Sequence, residues 1–235
     1  MGLIAVMSQF LTVASLSGCA LLCSPGGGDA LADGCADIAV VFARGTGEAP
    51  GVGWMGQQFV DALRWRTWGR TLEVYPVNFP AVAEFAPSTT GVADAADRLR
   101  ELSKRCPSTQ LVVGGYSRGA ALIGYVTDPT AAGEFGEPLP PEVASHVAAV
   151  ALLGRPSPAF LRAIGAPPLS IGSSYTAKTI DLCAPGDPVC SAGDDGAAHT
   201  AYATNGMTAH AADFVVAHMR PPGTGPEQPH QRATA

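Results

Sequence analysis

Charged side chains are scarce: Asp, Glu, Lys and Arg make up 14% of the 235 residues, well below the quarter usual in globular domains. Ala, Ser, Thr, Gly and Pro must therefore cover much of the surface. Cations are scarcer still, 14 Lys and Arg against 20 Asp and Glu, for a net charge of −6 with no basic run. That argues against nucleic acid as a partner, because there are few cations to displace phosphate counterions. No C-x-x-C pair occurs, which excludes the commonest zinc spacing, and no metal is expected. No internal repeat and no linker interrupt residues 33–220, so they read as one domain. Hydrophobic residues reach 47%, enough to build a globular core at this length.

A basic start is also missing: the first Lys or Arg is Arg44. Met1 to Leu22 is uncharged and mostly apolar, yet Ser8, Gln9, Thr12, Ser15 and Ser17 make it too polar for a convincing membrane span. It reads as the apolar part of an export signal, and Ala30-Leu31-Ala32 supplies small residues for cleavage. Residues 1–32 are therefore expected to be a signal peptide, 33–220 the folded domain and 221–235, opening Pro-Pro-Gly-Thr-Gly-Pro from Pro221, a disordered tail. Two other readings stay open. Leu16-Ser17-Gly18-Cys19 resembles a lipobox that would leave a lipidated Cys19, and the leader could remain as an anchor. The expected location is extracellular, or envelope-associated under those two readings.

The folded part alternates strand-like and helix-like segments. Ile38–Ala43 and Val147–Leu153 are continuous apolar runs, as central parallel strands are. Leu72–Val77 and Tyr175–Leu182 read as further strands, and Met55–Trp68, Gly91–Arg105 and Met207–Met219 as helices. Ser88-Thr89-Thr90 offers a helix cap, and Pro107 stops the second helix. Asn78–Ser88 reads as a rim loop with exposed aromatics, and 128–145 and 157–172 as surface loops. Gly51-Val52-Gly53-Trp54-Met55-Gly56 matches a dinucleotide fingerprint, with Glu73 near the spacing of a ribose-binding acid. It is discounted because the glycines do not directly follow a strand and Glu73 opens the next one.

The chemistry centres on Leu111–Val126. An apolar strand runs into Gly115-Tyr116-Ser117-Arg118-Gly119 and then a helix of small and apolar residues. A G-x-S-x-G turn between strand and helix is so sharp that glycines must flank the serine, and it exposes the hydroxyl beside helix N–H groups. A serine hydroxyl needs a base to attack, and hydrolases of this architecture supply an acid and then a histidine later in the chain. Among Asp128, Asp181, Asp187, Asp194, Asp195 and Asp213, Asp187 lies between Cys183 and Cys190, where a bridge would fix its direction. Asp194 and Asp195 are second choices on a Gly-rich stretch. Among the histidines, His146 precedes a buried strand and reads as solvated, His210 and His218 lie on a helix, and His230 is in the tail. His199, in a loop beyond the fifth strand, is the expected base. Outside the leader, which holds Cys19 and Cys23, the cysteines are Cys35, Cys106, Cys183 and Cys190. An even set in an exported chain suggests two disulfides, with three connectivities open.

Phe42-Ala43-Arg44-Gly45-Thr46-Gly47-Glu48, then Gly114 to Ala121, then Asp187-Pro188-Val189-Cys190 with His199 and Tyr202 downstream, together resemble the cutinase family of secreted serine esterases. The resemblance runs from about Cys35 to Met219. It implies a three-layer α/β/α hydrolase with a central five-stranded parallel sheet and no lid, acting as a monomer on ester or lipid substrates without a cofactor. It implies Ser117 as nucleophile, His199 as base and Asp187 as orienting acid. An oxyanion hole would come from the backbone N–H groups of Thr46 and Arg118, with the Thr46 hydroxyl assisting. The pairs Cys35–Cys106 and Cys183–Cys190 are implied as well. Arg118 departs from the family's usual glutamine after the serine, and its longer cation is expected to alter the rim or pair with a nearby acid. A phospholipase or lipase acting on longer acyl chains, and a non-catalytic domain that binds envelope lipid, remain as rival readings. Transient contact with lipid surfaces fits all three.

Overall fold

A computed structural model describes residues 34–81, 88–131 and 133–221. The expected signal peptide, its lipobox, the tail beyond Pro221, His230 and the middle of the expected rim loop lie outside the described residues.

Among the described residues, five parallel strands form one sheet in the order β2-β1-β3-β4-β5. They are β1 (Ile38–Ala43), β2 (Leu72–Pro76), β3 (Gln110–Tyr116), β4 (Val147–Leu153) and β5 (Thr179–Leu182). Every residue of β1, β3 and β4 is buried, which is what an apolar run without alternation requires: both faces are covered. On one face Ala39, Val41, Ala43 and Val113 pack against α2 (Thr89–Arg105) and α3 (Arg118–Thr127). On the other, Ile38, Val40, Phe42 and Val112 pack against α1 (Gly53–Arg66) and α7 (Met207–His218). The two-residue period of the strands thus divides the core into two and makes the three layers expected from the sequence.

Helix boundaries follow local chemistry. The Ser88 hydroxyl accepts from the Gly91 N–H and caps α2, as expected. Two stretches read as loops contain short helices, α4 (Pro141–His146) and α5 (Pro158–Ala163), each with proline in its first turn. Proline is tolerated there because that N–H has no helical partner. The strand read from Tyr175 begins only at Thr179, because Ser173–Thr176 forms a helical turn, α6, packed by buried Tyr175. Phe79, read as exposed, is buried between two guanidinium groups, Arg44 at 5.0 Å and Arg118 at 5.7 Å from its ring centre. His146 is half-buried at the end of α4 instead of solvated in a loop, and burial lowers its pKa.

Two disulfides close the domain. Cys35–Cys106 joins the entry of β1 to the end of α2, and Cys183–Cys190 closes a short loop beyond β5. These are the pairs that the resemblance implied. The first encloses 71 residues of sequence separation, for which chain-entropy arguments give roughly 4 kcal/mol of stabilisation.

Candidate active site

β3 delivers Ser117 at its carboxyl end, and α3 starts at the next residue. Ser117 has φ 53° and is the one non-glycine residue with positive φ among the described residues. The flanking glycines are there for space. A Cβ on Gly115 would lie 2.4 Å from the Gly119 carbonyl oxygen, and one on Gly119 only 2.0 Å from that of Ala43. α3 therefore sits directly on the end of β1, and the turn is held by Ser117 N–H donating to the Leu153 oxygen at 2.8 Å.

His199 reaches this turn from a short 3₁₀ segment, Ala198–Ala203. Its Nε2 lies 2.8 Å from Ser117 Oγ, and its Nδ1 lies 2.8 Å from Asp187 Oδ2. The expected serine, histidine and aspartate thus meet at the carboxyl edge of the sheet. Asp187 is fully buried inside the Cys183–Cys190 loop. Burial opposes its charge, but the Tyr202 hydroxyl (2.6 Å), the His199 ring and the Val189 N–H (2.8 Å) all donate to it. Together these bonds hold its pKa below the usual carboxylate value.

Among the remaining acids Asp194 is exposed and the others are engaged elsewhere. Asp181 pairs with Arg155, Asp213 with Arg66, Asp128 accepts from Thr130 and Ser170, and Asp195 accepts from the Ala197 N–H. His210 is exposed on α7, and His218 Nδ1 lies 2.8 Å from the Phe214 carbonyl oxygen on the same helix.

Two tyrosines complete the arrangement. Tyr202 is fully buried, donates to Asp187 and accepts from the Ala184 N–H at 2.9 Å. Tyr116 stacks on the His199 ring at 5.2 Å between centroids and donates to the His199 carbonyl. The sequence signal for Tyr202 is its spacing: residues three apart in a 3₁₀ turn share a face, so a tyrosine three beyond the base returns to the same carboxylate. Tyr116 carries no such signal beyond its place beside the serine.

All five phenols of the chain are held above their ordinary pKa. Burial is the leading cause for each, and it takes Tyr125 and Tyr175 up to about 12. A raised phenol favours the folded state fully below pH ~10 and loses that contribution as pH climbs through the folded value. Phenolate absorbance is therefore expected at higher pH in the native protein than in the urea-unfolded chain, which should titrate near pH ~10, and most of it should appear together with loss of circular dichroism. A full phenolate signal at pH ~10 with an intact fold would contradict this.

The loop after β1 is locked from two sides. Glu48 accepts from the Gly45 N–H at 2.6 Å and from the Met55 N–H at 3.2 Å, which caps α1. Arg44 donates to the carbonyls of Glu48 and Phe79. The glycine-rich match to a dinucleotide fingerprint is thereby explained. A Cβ on Gly53 would collide with the Glu48 carboxylate, the helix start is already capped, and Glu73 pairs with Arg98. Thr46 lies in this loop, and its buried Oγ1 has no hydrogen-bond partner among the described residues. Arg118 turns inward onto the stretch read as the rim loop: its side chain is 5% exposed, lies over the Phe79 ring and donates to the Pro80 carbonyl at 3.1 Å.

The chain is similar to known proteins along most of its length. The cutinase family model matches residues 34–219. Carboxylesterase Culp1 of Mycobacterium tuberculosis is 45% identical over 199 residues, covering 83% of this chain and 88% of that protein. Phospholipase Culp4 of Mycobacterium tuberculosis is 42% identical over 210 residues, covering 89% and 90%. The structure of Trichoderma reesei cutinase in complex with a phosphonate inhibitor superposes with a TM-score of 0.59 at 31% identity, covering 79% of this chain and 78% of that one.

Proposed function

The chain belongs to the cutinase family and is a carboxylic ester hydrolase, and from that premise we propose that Ser117, His199 and Asp187 carry the reaction as a secreted acyl-transfer triad. The observation that supports this reading is the unbroken line of contacts from Ser117 Oγ through the His199 ring to Asp187, 2.8 Å at each step.

His199 takes the Ser117 proton through Nε2 as Oγ attacks the ester carbonyl. Asp187 accepts at Nδ1, so the ring keeps Nε2 free as base and is stabilised once it becomes cationic. The tetrahedral oxyanion falls to the backbone N–H groups of Thr46 and Arg118, with the unpartnered Thr46 hydroxyl as a third donor. The imidazolium returns its proton to the leaving alcohol. Water then repeats the sequence against the acyl-enzyme and releases the acid. Each step is proton transfer and addition to a carbonyl, so no cofactor is called for. Export is supported by two disulfides and by the uncharged apolar leader.

The test is a series of p-nitrophenyl esters from acetyl to palmitoyl, beside labelling with an organophosphonate. Turnover of soluble short-chain esters and one phosphonate adduct on Ser117 are expected. Hydrolysis only above the aggregation threshold of a long-chain ester would favour the phospholipase-like reading that the Culp4 similarity keeps in view. No turnover and no adduct would leave a binding domain.

A further inference from the structure

We propose that the outward ridge of α1 docks on an anionic lipid bilayer through Trp54, Trp65 and Trp68. The chain has three tryptophans, and all of them are here, 59%, 76% and 87% exposed. The same helix buries Met55, Phe59 and Leu63 on its inner side. Phe42, Phe59 and Tyr202 are fully buried, so this protein does find places for aromatic rings. It spends none of that shelter on an indole.

Position turns the three residues into a line. Trp54 and Trp65 are about three turns apart, roughly 16 Å, and point within ~20° of each other. Trp68 follows just past the helix end. The outcome is a convex ridge instead of a pocket, which suits a plane.

Three features select lipid as the partner. An indole, with an apolar body and one N–H, settles at the headgroup level of a bilayer. The stretch Leu63-Arg64-Trp65-Arg66-Thr67-Trp68-Gly69-Arg70 interleaves cations with the rings and contains no acid. Arg220 lies close enough to Arg70 for the two to repel. Asp61 and Asp213 pair with Arg64 and Arg66, and Asp37 attracts Arg70. Attraction to anionic headgroups is therefore modest, and the rings supply most of the binding. The third feature is place in the fold. Glu48, in the loop that holds Thr46, accepts from the Met55 N–H at the start of α1, so the Trp54 end of the ridge is the one nearer the site.

The ridge supplies its own reporter, because every tryptophan in the protein sits on it. The protein, in the form its host exports, is mixed with phosphatidylcholine vesicles with and without phosphatidylglycerol. With phosphatidylglycerol, the tryptophan emission is expected to shift to the blue, iodide quenching to fall and the protein to sediment with the vesicles. Trp65→Ser with Trp68→Ser should lower the partition coefficient about 100-fold, and salt should weaken binding only a few-fold. The double variant should hydrolyse a soluble short-chain ester like the parent, so a failed ridge and a failed ester reading give different results. Four outcomes overturn the proposal: no spectral shift with either vesicle, equal sedimentation of parent and double variant, binding indifferent to headgroup charge, or ridge-dependent binding to an insoluble polysaccharide or to a second copy of the chain in place of vesicles.

Discussion

Ser117→Ala is expected to lower kcat by roughly 10⁴-fold to 10⁶-fold while leaving the fold and the binding of a soluble ester intact. In the proposed mechanism the hydroxyl is the sole nucleophile, and the substitution removes one atom from a 4%-exposed side chain. His199→Ala should cost a similar factor, because an isolated hydroxyl is not deprotonated near neutral pH. The double variant should be no slower than either single one, since the pair acts as a unit. Asp187→Asn should lose roughly 10⁴-fold, because an amide at Oδ2 would favour the wrong imidazole tautomer. Steady-state kinetics with a p-nitrophenyl ester read all four. Substantial turnover in His199→Ala, or its loss in His210→Ala, would sink the assignment.

Gly119→Ala is expected to be the most damaging glycine-to-alanine change among the described residues. The new Cβ would lie 2.0 Å from the Ala43 carbonyl oxygen and 2.5 Å from its carbon, both backbone atoms of a buried central strand. Neither can turn aside, so α3 must lift from β1. Overpacking of this kind costs about 3 kcal/mol or more when the obstacle is rigid. The displaced helix carries the Arg118 N–H and the Ser117 turn with it, so kcat should fall at least ~100-fold in whatever protein remains folded. Urea denaturation followed by circular dichroism measures the stability change. Gly196→Ala is the control, since nothing lies within 4 Å of a Cβ there. It should be neutral, and equal behaviour of the two variants would refute the steric account.

The parts of this molecule that could be read in its sequence are those whose local pattern agrees with their tertiary surroundings. β1 and β4, and β3 from Leu111 to Val113, are apolar runs because both of their faces are covered. The Gly115–Gly119 turn is recognisable because sterics leave few other residues possible. Asp187 could be chosen among six acids because a bridged loop gives a carboxylate a fixed direction. Reading failed where one residue type serves two purposes. Pro141 and Pro158 looked like loop punctuation but stand in the first turn of helices. Tyr175 looked like strand but lies in a helical turn before the edge strand, which is only four residues long and partly exposed. The burial of Arg118 beside the Pro80 carbonyl and the Phe79 ring could not be read either, because only the folded chain creates that place. The hold of Tyr116 on the site is likewise a product of tertiary approach, whereas Tyr202 is marked by its spacing from His199.

The Cys35–Cys106 bond has a mechanical consequence. It meets the chain before β1 begins and ties that point to the end of α2. A pull applied through the amino-terminal side passes covalently into α2, so it does not peel β1 from its neighbours β2 and β3. A domain of this build can be tugged from its leading end while Ser117 stays in register with His199. Reduction of that one bond would transfer the load to the hydrogen bonds of the strand that carries the Thr46 loop.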